Sequence, residues 1–166
     1  MNKIAVIPAR AGSKRLPKKN YKSFNSRTLV EIARDKCLAA GIFDKVIISS
    51  DDPFFEGLVN CNQVEFLKRS QNLAGDNATT DVVIDFFFKE IPSCDSILWV
   101  NSVSPLQSIQ DIKNCGTRLN DPQVDCVMAA NTLYQHCCIG NKPLNFDSTK
   151  PFEKTQDLEP IQRYIY

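Results

Sequence analysis

Short apolar runs alternate along this chain with longer segments whose apolar positions recur at helical spacing. Lys3–Pro8 (KIAVIP) is nearly continuous in apolar residues and reads as a strand buried on both faces. Residues 28–40 read as a helix, with Leu29, Ile32, Ala33, Cys37 and Ala40 on one face and Gly41 as its stop. Lys45–Ser50 (KVIISS) is predicted as a second strand, and Asp51-Asp52-Pro53 as a turn that opens a helix with proline at its first position. Residues 63–67 make a shorter third strand. A helix capped by Thr79 or Thr80 runs to Glu90, and residues 96–100 (SILWV) are a fourth strand. Ser108 and Asp111 open a helix over 108–119. Residues 124–130 are predicted as a fifth strand, central in the sheet because nearly every position is apolar.

Strands separated by helices of this length imply crossover units and a largely parallel sheet, an α/β fold. Past about residue 131 the pattern breaks into polar, proline-containing sequence, read as a hairpin or arm. With 166 residues, the chain is long enough to bury a substantial core. Its net charge of +1 makes no electrostatic case for a nucleic-acid or membrane partner. No apolar run approaches the roughly 20 residues needed to span a bilayer. The first strand begins so early that no signal peptide is expected. Seven cysteines, an odd number without a C-x-x-C pair, argue against a disulfide framework or a zinc site, so a reducing, cytoplasmic setting is expected. Cys137 and Cys138 follow His136, the only histidine, but neighbours in an extended segment point to opposite faces and do not converge.

Charge becomes informative locally. Lys3, Arg10, Lys14, Arg15, Lys18, Lys19, Lys22 and Arg27 all precede Glu31, the first acid. Ligands of parallel α/β sheets collect at the C-terminal ends of strands. The first predicted strand runs straight into Arg10-Ala11-Gly12-Ser13-Lys14-Arg15. The other strands end near Ser49 to Asp52, near Arg69 and the stretch from Leu73 to Thr80, and near Asn101 to Gln107, which puts these polar segments on one rim. The first loop is neither G-x-x-x-x-G-K-[ST] nor G-x-G-x-x-G, so neither a P-loop enzyme nor a dinucleotide fold is supported. With one glycine, the loop must grip anions mainly through side chains. Arg10 can clamp phosphate oxygens in pairs, Lys14 and Lys19 act as point charges, and Ser13 and Asn20 can donate.

These residues carry a resemblance. Pro8-Ala9-Arg10-Ala11-Gly12-Ser13-Lys14, continuing to Lys19-Asn20, is similar to the signature of the acylneuraminate cytidylyltransferases, the CMP-sialic acid synthetase family. Arg69 with Leu73-Ala74-Gly75-Asp76-Asn77-Ala78-Thr79-Thr80 resembles the family's second signature. Asn101-Ser102-Val103-Ser104-Pro105-Leu106-Gln107 partly resembles a third. The resemblance implies a Rossmann-like, three-layer αβα nucleotide-diphospho-sugar transferase fold. Residues 1–130 would form the nucleotide-binding domain and 131–166 an arm that pairs in a homodimer. It implies a reaction in which an acidic, nine-carbon-type 2-keto sugar attacks the α-phosphorus of CTP with Mg²⁺ present, releasing pyrophosphate. Arg10, Ser13, Lys14, Lys19 and Asn20 would hold the triphosphate, with Arg10, Lys14 and Lys19 catalytic. Arg69, Ala78 and Thr80 would surround cytosine and ribose, and Asn101, Gln107 and Arg163 would meet the sugar.

The departures fall on the sugar side. Asn101 stands for a glutamine, Ser102-Val103 for Pro-Thr, and Gln107 for an arginine. The acidic pair that ligates metal in the family is expected in a section beyond Tyr166, so the chain is expected to be C-terminally truncated. None of Asp51, Asp52, Asp76 and Asp111 is assigned to metal. Two alternatives use the same residues: a non-catalytic or remnant nucleotide-binding protein, and a nucleotidyltransferase for another nucleotide or sugar.

Overall fold

The first apolar run becomes an inner strand of the main sheet. A computed structural model describes residues 1–13 and 16–164. β1 (Lys3–Pro8) leads through the basic loop to a 3-10 turn at Lys19–Tyr21. β2 (Ser23–Phe24) and β3 (Arg27–Thr28) then form a small hairpin. Its turn residues Asn25 and Ser26 have φ of 50° and 63°, the left-handed backbone that a tight antiparallel hairpin needs. α1 (Leu29–Ala40) begins at once. The Thr28 hydroxyl accepts from the Glu31 N–H at 3.2 Å, and the Glu31 carboxylate accepts from the Thr28 N–H at 2.7 Å, so two end donors are satisfied reciprocally. Gly41, at φ 65°, closes the helix in a conformation that suits glycine.

The chain continues through β4 (Lys45–Ser50), β5 (Val64–Lys68), the short α2 (Gln71–Ala74), α3 (Thr80–Glu90), β6 (Ser96–Trp99) and α4 (Ile109–Arg118). Among the described residues the main sheet has four strands, all parallel, in the order β5-β4-β1-β6. Val6 sits between Ile47 and Trp99 in register. Alternation then sorts the core onto two faces. Ala5, Ile7, Val46 and Ile48 pack with Val30 and Cys37 of α1 and Ile112 of α4. Ile4, Val6 and Ile47 pack with Val83 and Phe87 of α3. The result is the expected three-layer α/β arrangement. α4 lies close to the segment after α1 because residue 116 is glycine: a Cβ there would collide with the Ile42 side chain.

The helix expected to open at Pro53 forms as a 3-10 helix (Pro53–Leu58); the Asp52 carboxylate caps it, accepting from the Phe54 N–H at 2.8 Å. One expectation needs correction. Residues 124–130 do not form a fifth sheet strand. The run is irregular as far as residue 129, and Met128 is 52% exposed. An apolar run becomes a buried strand only where a neighbouring edge accepts it, and hydrophobicity alone does not supply that information.

The chain divides into two compact units, Met1–Asp125 and Cys126–Tyr166. In the second unit, β7 (Ala130–Leu133), β8 (Cys138–Ile139), β9 (Lys142–Pro143) and β10 (Ile161–Tyr164) form two antiparallel pairs, β7 with β10 and β8 with β9. Asn145 knits its loops together. Its amide donates to the Gln135 and Glu159 carbonyls and accepts from the Cys137 N–H, each at 2.9 Å. The His136 ring packs edge-on to Phe146 and Phe152, with centroids 5.0 and 4.8 Å away. No helix among the described residues is long and apolar enough to cross a membrane.

Candidate active site

The loop after β1 is fixed before any ligand is considered. The Ala9 N–H donates to the Ser49 carbonyl at 2.9 Å, and the Ser50 hydroxyl donates to the Ala9 carbonyl at 2.6 Å. The Ala11 N–H donates to the Asp51 carboxylate at 2.9 Å. The loop is thus tied to the C-terminal end of β4. Farther along, the Asn20 amide donates to the Arg10 carbonyl and accepts from the Ser102 hydroxyl, both at 2.9 Å. Asn20 and Ser102 are buried, so these bonds are shielded from water. Behind them Tyr21 packs on Phe54 and Phe55 and donates to Asp52. That bond, with the Phe54 N–H, holds the Asp52 carboxyl below the usual carboxylate range. Burial, followed by the same carboxylate, raises the Tyr21 phenol above its ordinary value.

A cleft of about 290 Å³ opens at the C-terminal ends of β1, β5 and β6, beside the N-terminus of α3. Arg10 reaches across it and pairs with Asp76 at 3.0 Å, with a weaker contact to the Ala74 carbonyl at 3.4 Å. Arg69 is only 4% exposed, and among the described residues its Nε has no hydrogen-bond partner. Burial lowers its guanidinium below its ordinary value; Asp51 opposes that shift and Arg10 adds to it. Thr79 caps α3, whose first N–H groups bring partial positive charge to the same cleft. A buried cation, a second cation and a helix N-terminus lining one cleft are matched by an anion.

Most of the residues expected from sequence meet here. Arg10, Ser13, Lys19, Asn20, Arg69, Ala78, Thr80 and Asn101 all line the cleft. Asn20 does so while its amide holds the loop, a bracing role that residue type alone does not disclose. Lys14 lies outside the described residues. Gln107 is not brought into the cleft; its backbone carbonyl instead accepts from Lys36. Arg163 lies on β10 of the second unit, opposite Asn131. Trp99 also lines the cleft but was missed, because an aromatic residue in a strand reads as core; its ring is 6.0 Å from Phe87. The bracing bonds of Ser50, Asp51 and Ser102 likewise left no local signal.

No group of three or more side chains that could hold a metal ion occurs among the described residues. Asp76 pairs with Arg10, Asp51 accepts from Ala11, Asp52 from Tyr21 and Phe54, and Asp111 from Ser108 in the α4 cap. These carboxylates are used as braces and caps.

The family profile described as Cytidylyltransferase matches residues 4–161. The chain belongs to the cytidylyltransferase family. A pseudaminic acid cytidylyltransferase of Campylobacter jejuni is 36% identical over 85 residues, covering 51% of this chain and 37% of the relative. An N-acylneuraminate cytidylyltransferase of Streptococcus agalactiae is 25% identical over 170 aligned positions, covering 97% of this chain and 41% of the relative. The matched part of this cytidylyltransferase chain therefore spans well under half the length of each of those two proteins. The solved CMP:2-keto-3-deoxy-manno-octonic acid synthetase, complexed with CTP, superposes with a TM-score of 0.71 at 17% identity, over 99% of this chain and 72% of that one. That likeness supports the fold.

Proposed function

We infer that the cleft binds CTP and that the chain serves a CTP:acidic-sugar cytidylyltransferase, which forms a CMP-sugar and pyrophosphate. The observation that carries this reading is that the buried Arg69 guanidinium, whose Nε has no partner among the described residues, lines one cleft together with Arg10 and the α3 N-terminus. A nucleoside triphosphate matches this cleft: its phosphates suit Arg10 and the α3 N-terminus in charge, and the unused Arg69 donor suits the oxygens of a base or ribose. On this reading Arg10, Ser13, Lys14 and Lys19 hold the triphosphate, and Asn20 keeps their loop in shape. Arg69, Ala78 and Thr80 border cytosine and ribose, and Asn101 serves the acceptor. The names of the relatives support an acidic sugar of the pseudaminic or N-acylneuraminate kind as that acceptor. Homodimer pairing through the second unit, with Arg163 serving a partner copy's sugar site, belongs to the same reading.

The chemistry needs no covalent enzyme intermediate. The acceptor's anomeric hydroxyl oxygen bonds to the α-phosphorus. The bond to the bridging oxygen breaks, pyrophosphate leaves, and the hydroxyl proton passes to solvent. Arg10, Lys14 and Lys19 contribute by alignment and by neutralising charge that grows on the phosphoryl oxygens. A second reading, nucleotide binding without turnover, is favoured by the protein donors that already occupy Asp51, Asp52 and Asp76. A pyrophosphate-release assay with CTP and N-acetylneuraminate, with and without Mg²⁺, separates the two. Release that needs both substrates supports the enzyme; CTP binding without release supports the second reading.

A further inference from the structure

The segment after β6 carries three residues of the cleft, Asn101, Ser102 and Val103, and ends where the α4 cap begins at Ser108. Within this segment the Ser104 N–H donates to the Asn101 carbonyl at 3.1 Å and the Gln107 N–H to the Ser104 carbonyl at 3.0 Å. These are two successive turns with no strand or helix to stiffen them. Two side-chain attachments fix them from outside. At the near end the Ser102 hydroxyl donates to Asn20, whose amide in turn holds the Arg10 carbonyl. At the far end the Lys36 ammonium, projecting from α1, donates to the Pro105 and Gln107 carbonyls together. Among the described residues no carboxylate pairs with Lys36, so its charge is directed at these two backbone oxygens.

From this arrangement we propose that Ser102 and Lys36 are positioning residues that suspend the loop over 101–107 at two points, presetting Asn101 for the acceptor sugar. The proposal rests on the reading of the cleft as a CTP and sugar-acid site. Neither side chain touches a reacting atom. Lys36 acts through the loop backbone, and Ser102 acts through Asn20, which also braces the carbonyl of Arg10. The near attachment therefore links the acceptor side of the cleft to the phosphate side, whereas the far attachment bears on the acceptor side alone. The two differ in what their loss should do. Removing the Lys36 ammonium frees the 105–107 end and leaves the Asn20 brace intact. Removing the Ser102 hydroxyl also leaves the Asn20 carbonyl oxygen buried without its donor.

Lys36→Met, Lys36→Arg and Ser102→Ala test the idea on the whole chain, by hydrogen exchange of the amides over 101–107 and by calorimetry with CTP and with N-acetylneuraminate. In Lys36→Met, exchange in this segment should rise about tenfold, as expected for the loss of a charged hydrogen bond. N-acetylneuraminate should bind about tenfold more weakly, with CTP affinity unchanged. Lys36→Arg should restore both toward the parent. Ser102→Ala should raise exchange in the segment and weaken both ligands. Parent-like exchange in both Lys36→Met and Ser102→Ala overturns the suspension. Parent-like sugar binding in Lys36→Met, no sugar binding by the parent, or an equal loss of CTP binding in Lys36→Met overturns the positioning role. Failure of the parent to bind CTP is a different result: it overturns the assignment of the cleft, while the exchange data still decide whether the loop is suspended.

Discussion

At the scale of single residues, burial and hydrogen bonding decide which side chains act on a ligand and which hold the site together. Arg69 is a cation kept from water with part of its donor set unused, whereas Asn20 spends its amide on the protein. Sequence gives both as polar residues of a predicted rim and does not tell these roles apart. Arg10→Ala removes a half-exposed loop cation whose protein partner, Asp76, is also exposed. It should cost about 1.5–3 kcal/mol of CTP affinity, read by calorimetry, and leave the unfolding temperature nearly unchanged. Cys37 shows the opposite balance. Burial in the α1 core pushes its thiol up to about 12. A thiol-reactive dye should label the exposed Cys61, Cys126 and Cys138 rapidly and Cys37 only on unfolding. The sign is set by the raised folded value. The contribution of the neutral thiol to stability is present below the unfolded value of 9.0 and is lost as pH rises toward 12.

At the scale of elements, what was legible is what is encoded locally. α1 carries its own start and stop in Thr28, Glu31 and Gly41, and it forms where the sequence predicts. Thr28→Ala removes the hydroxyl of that capping box and should lower stability by about 1 kcal/mol in a denaturant titration. β1 and β4 are continuous apolar runs because both faces are covered, and their bounds match expectation. The hairpin of β2 and β3 escaped notice because two-residue strands show no periodicity. The run over 124–130 misled for the converse reason: its apolar pattern is strong, but pairing is a property of neighbours. The turn after β4 depends on Asp52 at its start and Tyr21 behind it. Because the folded Asp52 value is lowered, that link stabilises above the ordinary carboxylate value of 3.8 and is lost as pH falls through the lowered folded value. Tyr21→Phe should therefore reduce the steepness of acid unfolding below about pH 4, followed by circular dichroism across a pH series.

At the scale of the whole molecule, the parallel sheet explains why segments distant in sequence share a function. β1, β5 and β6 all end on one rim, so Arg10, Arg69 and Asn101 meet without being neighbours in the chain. The order of the motifs made that rim readable in advance. The braces that shape it were not readable, because Asn20–Ser102 and Lys36 with the 105–107 backbone join residues 69 to 82 positions apart. The central claim is that this rim is a cytidine triphosphate site organised around Arg69. The most direct measurement is calorimetric titration of the chain and of Arg69→Met with CTP, followed by competition with UTP, ATP and GTP. The account predicts saturable CTP binding by the parent, weak competition by the purine nucleotides, and at least about tenfold weaker CTP binding in a folded Arg69→Met variant. Equal affinity for all four nucleotides, or unchanged CTP affinity in the folded variant, would contradict it.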